Sequence, residues 1–219
     1  MLTTLTMMSP GSDARRHAPA TARNRQPILQ VLQQVLPPQG TVLEIASGSG
    51  EHAVFFAPRL APRCWLPSDV DPTALASIKA WQQQCPCDTL YPPLPLDAAA
   101  PDWPQTVVQQ RPGDDPITAI VAINMIHISP WQSCLGLLAG AGGLLPAGGI
   151  LYLYGPFQRQ GGHTAPSNEA FDRSLRSQNP AWGVRHLEAV AEVAARHDLS
   201  LAEVVDMPAN NLSVVFRCG

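Results

Sequence analysis

Apolar and polar positions along the chain fall into segments of two periods, one near 3.6 and one near 2, broken by Gly and Pro. From Thr21 to Leu36 the apolar residues Ile28, Leu29, Val31, Leu32, Val35 and Leu36 recur at helical spacing, and Pro37-Pro38-Gln39-Gly40 ends that helix. Thr41 to Ala46 reads as a buried strand, and after a small-residue loop Ala53 to Leu60 reads as helix. Arg63 to Ser68 predicts a second strand closing on Asp69, followed by a helix through Ala74, Leu75, Ile78 and Trp81. Asp71-Pro72 starts that helix, with Asp as the N-cap and Pro in the first helical position. Asp88 to Leu96 predicts a third strand interrupted by prolines. Ile117 to Ile123 is a nearly continuous apolar run, as a central parallel strand covered on both faces requires. Trp131 to Ala141 reads as helix, and Gly148-Gly149 leads into a fifth strand, Ile150 to Tyr154. The polar, Gly-rich stretch Gly155 to Ser167 is too long for an ordinary connection and is a candidate functional loop. Helices at Asn168 to Ser177 and Val184 to His197 precede two last strands, Leu201 to Met207 and Leu212 to Arg217. The turn Pro208-Ala209-Asn210-Asn211 between them is a hairpin signal. The alternation predicts a doubly wound α/β fold, a seven-stranded and mostly parallel sheet with a C-terminal antiparallel hairpin strand.

Met1 to Pro19 has no periodicity and carries Ser, Pro, Gly and Arg, so residues 1–20 are expected to form a disordered leader before one domain over 21–219. A chain of 219 residues suits a single core of that kind. With 23 prolines its loops are expected to be stiff. A net charge of −3 lacks the electrostatic footprint of a nucleic-acid binder and disfavours such a partner. The 5 cysteines are odd in number and irregular in spacing, and Cys85-Pro86-Cys87 is not a zinc-ribbon pair. Reduced thiols in a cytoplasmic protein, and no metal site, are therefore expected. No apolar run approaches the ~20 residues a bilayer span needs, so no membrane partner is expected. Arg15-Arg16 follow the apolar start rather than precede it, the wrong order for a secretory signal. The oligomeric state is left open.

The chemistry concentrates in Glu44-Ile45-Ala46-Ser47-Gly48-Ser49-Gly50-Glu51-His52. A strand that breaks into a small-residue loop and restarts as a helix lets backbone approach a ligand closely and presents unpaired N–H groups. Gly48-Ser49-Gly50-Glu51-His52-Ala53 formally fits the dinucleotide pattern G-x-G-x-x-A. Glu44 decides against that reading, because a carboxylate inside a central strand is costly without a partner. S-adenosyl-L-methionine supplies one in its ammonium group.

These residues resemble the class I S-adenosylmethionine-dependent methyltransferases, whose first motif is followed here by Glu44-x-Ala46-x-Gly48-x-Gly50, with Ala46 where the family prefers Gly. The resemblance implies a Rossmann-like fold and a cofactor site including Glu44, Ala46, Ser47, Gly48, Gly50 and His52. It implies that Asp69 holds both ribose hydroxyls, with Asp71 the alternative, that Asp97 accepts from the adenine amino group, and that Leu96 packs on the ring. Asn124, ending the fourth strand, would lie beneath the methyl donor. More narrowly, the chain is similar to an uncharacterised methyltransferase-like group of bacteria and animals, a domain of unknown function. The matching residues include Arg23-Asn24-Arg25, Pro67-Ser68-Asp69, Asn124-Met125-Ile126-His127-Ile128-Ser129-Pro130-Trp131, Tyr154-Gly155-Pro156-Phe157 and Met207-Pro208-Ala209-Asn210-Asn211.

The function expected from this resemblance is methyl transfer to a small-molecule acceptor, with S-adenosyl-L-homocysteine as product. His127 and Asn124 are the catalytic candidates, His127 as general base or else as a structural, hydrogen-bonded imidazole near Ser129-Pro130. Asn168, Asp172, Asn210 and Asn211, with Trp131, Tyr154 and Phe157, are candidates for the acceptor side. Two alternatives remain at this stage: a module that binds S-adenosylmethionine or S-adenosylhomocysteine without methylating anything, and an NAD(P)-binding oxidoreductase.

Overall fold

A computed structural model describes residues 13–219. The first 12 residues, most of the expected leader, lie outside the described residues. The elements run in the order α1 (Pro19–Val35), β1 (Thr41–Ile45), α2 (Glu51–Phe56), β2 (Cys64–Asp69), α3 (Pro72–Gln84), β3 (Leu94–Pro95), α4 (Trp103–Gln110) and β4 (Ile117–Ile123). They continue with α5 (Trp131–Leu144), β5 (Ile150–Gly155), β6 (Phe157–Arg159), β7 (Gly162–His163), α6 (Pro166–Gln178), β8 (Arg185–His186), α7 (Leu187–Ala195), β9 (Leu199–Met207) and β10 (Asn211–Cys218).

The main sheet has seven strands in the order β3-β2-β1-β4-β5-β10-β9. Strand β10 is antiparallel to both neighbours, β5 and β9, and the pairs among β3, β2, β1, β4 and β5 are parallel. This is the predicted seven-stranded, doubly wound sheet with its terminal hairpin. Alternation along the strands sorts side chains onto two faces. Leu43, Ile120, Leu151 and Val214 join Trp103, Leu137 and Val190 in one apolar layer. Val42, Val121, Tyr152 and Val215 join Ile28, Leu32 and Phe56 in the other. Glu44 is two residues from Val42 and so projects toward the α1 and α2 side.

The structure differs from the sequence expectation in four places. Strand β3 is only two residues long, because Pro92, Pro93 and Pro95 remove ladder donors; Leu90 reaches Trp65 through an isolated bridge. Helix α4 was not anticipated, since it buries only Trp103 and Val107, too few apolar positions to show a period. The stretch expected to be a loop after β5 instead forms β6 and β7, which join β8 in a separate three-stranded sheet. Residues 13–18, assigned to the leader, lie along α3: the Arg16 amide donates to Ser77 Oγ at 2.8 Å and Trp81 Nε1 donates to the Arg16 carbonyl at 3.0 Å.

Helix α5 meets the chain after β3 through glycines. A Cβ on Gly136 would lie 2.1 Å from the Ala98 carbonyl oxygen, and the Gly136 carbonyl accepts from Trp103 Nε1 at 3.0 Å. Gly→Ala in a helix ordinarily stabilises by up to about 1 kcal/mol. Here the obstacle is backbone and cannot swing aside, so Gly136→Ala should instead destabilise by about 1–3 kcal/mol in urea unfolding. An unchanged or raised midpoint would show that this contact is looser than the geometry states.

Candidate functional site

A cleft of about 450 Å³ opens at the C-terminal ends of β1 and β4. This is where the strand order reverses, the switch point at which open α/β sheets bind ligands. Glu44 lies in its floor, 1% exposed, its Oε2 accepting from Trp65 Nε1 at 2.9 Å. Burial pushes its carboxyl up to about 7; the Trp65 hydrogen bond opposes that and the nearby Asp69 charge adds to it. The site therefore contains a buried carboxyl that Trp65 and Ser47 only partly compensate, suited to a cationic ligand.

The loop after β1 turns through left-handed conformations at Ala46 (φ 56°), Gly48 (φ 58°) and Gly50 (φ 87°). Ala46 accounts for the departure noted in the sequence: its methyl group occupies a conformation that costs an L-residue about 1–2 kcal/mol. The two glycines serve different ends. A Cβ on Gly48 would meet nothing within 4 Å, leaving backbone open to a ligand, whereas one on Gly50 would lie 2.8 Å from Ile78 Cα. Gly50 thus permits α2 to pack on α3 and does not line the cleft, in contrast to its expected cofactor contact.

Asp69 ends β2 with one oxygen accepting from the Gly48 amide and the other from the Asp71 amide, both at 2.9 Å. Each oxygen keeps a lone pair for a ligand hydroxyl. Asp71 caps α3 by accepting from the Thr73 amide at 2.8 Å and lies outside the lining. Ala46, Ser47, Gly48, His52, Asp69, Leu96, Asp97 and Asn124 all line the cleft with Glu44. Asp97 is exposed, and its Oδ1 accepts from the Ala99 amide at 2.9 Å. His52 is buried, with Nε2 2.8 Å from Asn24 Oδ1 and its ring stacked on Phe56. An amide oxygen only accepts, so Nε2 carries the proton. Burial holds this imidazole down at about 4 and hence neutral at pH 7.

A second cavity of about 790 Å³ adjoins the first, and Ala20, Asn124 and Ile128 line both. Its wall includes Arg23, Asn24, Tyr154, Asn168, Phe171, Asn210 and Asn211. Of the acceptor-side candidates named from the sequence, Asn168, Tyr154, Asn210 and Asn211 line it, while Trp131, Phe157 and Asp172 do not. Asp172 is engaged elsewhere, accepting from the Val184 amide at 2.7 Å and from Arg176 Nε at 3.0 Å. Sequence reasoning missed Ala18, Ala20 and Thr21, which bring the start of α1 against the first cavity. Small residues at a helix start carry no signal of that contact.

His127 lies behind both cavities. It is 1% exposed, lines neither, and has no hydrogen-bond partner on either ring nitrogen among the described residues. Its ring fills the space that the absent Cβ of Gly155 leaves, where an added Cβ would approach His127 Cε1 to 2.1 Å. Burial, with Arg185 adding to it, holds the imidazole down at about 3. Its ring thus faces neither cavity, and the hydrogen-bonded structural role expected of it is not made among the described residues. Asn124, in contrast, stands at the junction with φ 58°.

The fold is that of the class I methyltransferases. An O-methyltransferase family protein from Burkholderia thailandensis superposes with a TM-score of 0.72 at 15% identity, over 91% of this chain and 57% of its own. Human N-acetylserotonin methyltransferase in complex with S-adenosylmethionine gives 0.72 at 12% identity, over 91% and 53%. An O-methyltransferase family 2 protein from Planctomyces limnophilus in complex with apigenin gives 0.70 at 19% identity, over 91% and 60%. The chain thus spans somewhat over half the length of these relatives. By sequence it belongs to the protein family of unknown function DUF938, whose profile matches residues 15–218. No helix among the described residues is long and apolar enough to cross a membrane.

Proposed function

We propose that the chain is an S-adenosylmethionine-dependent methyltransferase acting on a small-molecule acceptor. The observation that carries this reading is the pair of cavities meeting at Asn124, one lined by carboxyl groups and open glycine backbone, the other by carboxamides and apolar side chains. The first fits S-adenosylmethionine: Glu44 would meet the ammonium group, Asp69 the ribose hydroxyls, Asp97 the adenine amino group, and Leu96 the ring face. When bound, this ligand supplies an electrophilic methyl on a sulfonium. The protein's part is then to orient the acceptor in line and to keep water out, and no protein nucleophile is needed. The second cavity is the acceptor site, with Asn124 the residue placed to touch both guests.

Thermal unfolding with S-adenosylmethionine, S-adenosylhomocysteine, NAD and NADP tests the reading. At 100 times its dissociation constant a ligand stabilises by about 2.7 kcal/mol, a rise of several degrees at this size. The first two compounds should give that rise, and Asp69→Ala should remove it while the far-ultraviolet circular dichroism stays unchanged. A response to NAD or NADP alone would replace the proposal with a dinucleotide enzyme.

A further inference from the structure

The second cavity is short of one thing that methylation of most nucleophiles requires. Among the described residues Arg23 is its only charged side chain, and no carboxylate, histidine or lysine lines it. Tyr154 is the other ionisable group there among the described residues; the residue is buried and its phenol is raised above its usual range by burial, with the amides of Asn24 and Asn211 facing its hydroxyl. His52 stands on the cofactor side of Asn24 with its Nε2 proton committed to that residue. A neutral alcohol or an ordinary phenol would have to lose its proton to a base as the new bond forms, and the acceptor cavity offers none. An alkyl amine arrives protonated at neutral pH, with a guanidinium and no carboxylate to meet it.

The donors point to the complementary ligand. Among the described residues the Arg23 guanidinium and the Asn124 carboxamide make no side-chain hydrogen bond, although both line the cavity. The Nδ2 groups of Asn168 and Asn210 are occupied, on Thr164 Oγ1 and the Asn210 carbonyl for the first and on Ser167 Oγ for the second. Arg23 follows Ala20 by three residues on α1, so it faces the same way as that residue, one of three that border both cavities. A planar guanidinium binds a carboxylate through two parallel hydrogen bonds and keeps it ionised.

Resting on the proposed methyltransferase reading, we infer that the acceptor is a small carboxylic acid, held by Arg23 and Asn124 and methylated on its own ionised oxygen. One carboxylate oxygen forms the new bond to the methyl carbon as the carbon–sulfur bond breaks. The bonding pair leaves with sulfur, giving a methyl ester and S-adenosylhomocysteine, and no proton moves. Negative oxygen and positive sulfonium neutralise each other in this step, so the apolar faces of Phe171, Ile128 and Pro156 favour it by excluding water that would hold the separated charges apart.

The test has two readouts on the full chain. In the first, benzoate, benzamide, benzyl alcohol and benzylamine are titrated onto the protein saturated with S-adenosylhomocysteine. Benzoate should bind at least about tenfold more tightly than the other three, the scale of one charge-assisted contact, and Arg23→Gln should abolish that preference without weakening S-adenosylhomocysteine. Equal binding, or preference for the amine, amide or alcohol, overturns the inference. In the second, a small-molecule extract is incubated with methyl-labelled S-adenosylmethionine and the products are treated with mild alkali. Release of labelled methanol marks an ester and supports the inference; alkali-stable label on oxygen, nitrogen or sulfur overturns it. If no product forms, the binding series decides alone. Failure of S-adenosylhomocysteine to bind at all would sink the methyltransferase reading itself, which separates the two failures.

Discussion

Glu44→Gln should make the free protein more stable at pH 8 and remove its response to S-adenosylmethionine. The carboxyl is moved from 4.5 to about 7 by burial, which means that the folded chain holds the Glu44 proton more tightly than the unfolded chain does. Between those two values the native state carries more protons, so stability falls as pH rises through the window and the loss is complete above it. That net shift, in which the opposing hydrogen bond from Trp65 is already included, corresponds to about 1–3 kcal/mol. Glutamine keeps an acceptor for Trp65 Nε1 and carries no charge to bury. The melting temperature of the variant should therefore exceed that of the parent by several degrees at pH 8 and match it near pH 4.5. The same substitution removes the anion proposed to meet the ammonium group, so the shift with ligand should vanish. A variant that is less stable at pH 8 yet still responds to the ligand would show that Glu44 serves the fold and not the site.

His127→Leu should blunt the acid sensitivity of the protein and leave ligand binding intact. The imidazole is held at about 3 against 6.5 in an exposed residue, so the unfolded chain takes up a proton in this range that the folded chain refuses. Stability is then full above pH 6.5 and falls as pH drops through the window, by up to about 1.4 kcal/mol per unit for one such group. His52, held at about 4, adds to the same slope. Leucine fills similar space without two unpaired nitrogens, so removing His127 should flatten the slope between pH 6 and 4.5 by about 2 kcal/mol in all, read by urea unfolding across pH. Loss of methyl transfer with the acid slope unchanged would return His127 to the catalytic role.

The two residues show what a linear reading can and cannot reach. Glu44 was legible because its environment is local: an apolar strand of five buried residues leaves a carboxylate in want of a partner. Asp69, the glycine loop and the Asp71 cap were legible for the same reason, since strand end, turn and helix start follow one another along the chain. His127 was not. Asn124 takes a left-handed φ of 58°, which ends the alternation of β4, so nothing in the spacing reports which way the fourth residue of the turn points. The receiving space, moreover, is made by Gly155 on another strand. The proposed acceptor cavity was legible only in pieces. Asn24, Tyr154, Asn168 and Asn211 come from α1, β5, α6 and β10, and only the tertiary fold puts them around one space. The short β3 and the small sheet after β5 show the same limit, with prolines and side-on pairing overriding composition.

Helix α1 has a consequence for how the two guests affect each other. Its first residues border the first cavity, and its next turn supplies Arg23 and Asn24 to the second, while Ala20 belongs to both. Residues 13–18 tether its start, with the Ala18 amide donating to Glu51 at 2.6 Å at the head of α2. A ligand that steadies this helix from one side lowers the ordering cost of binding from the other, and such an effect is necessarily mutual. On the proposed function, affinity for the acceptor would thus be a property of the cofactor-loaded protein rather than of the cavity alone.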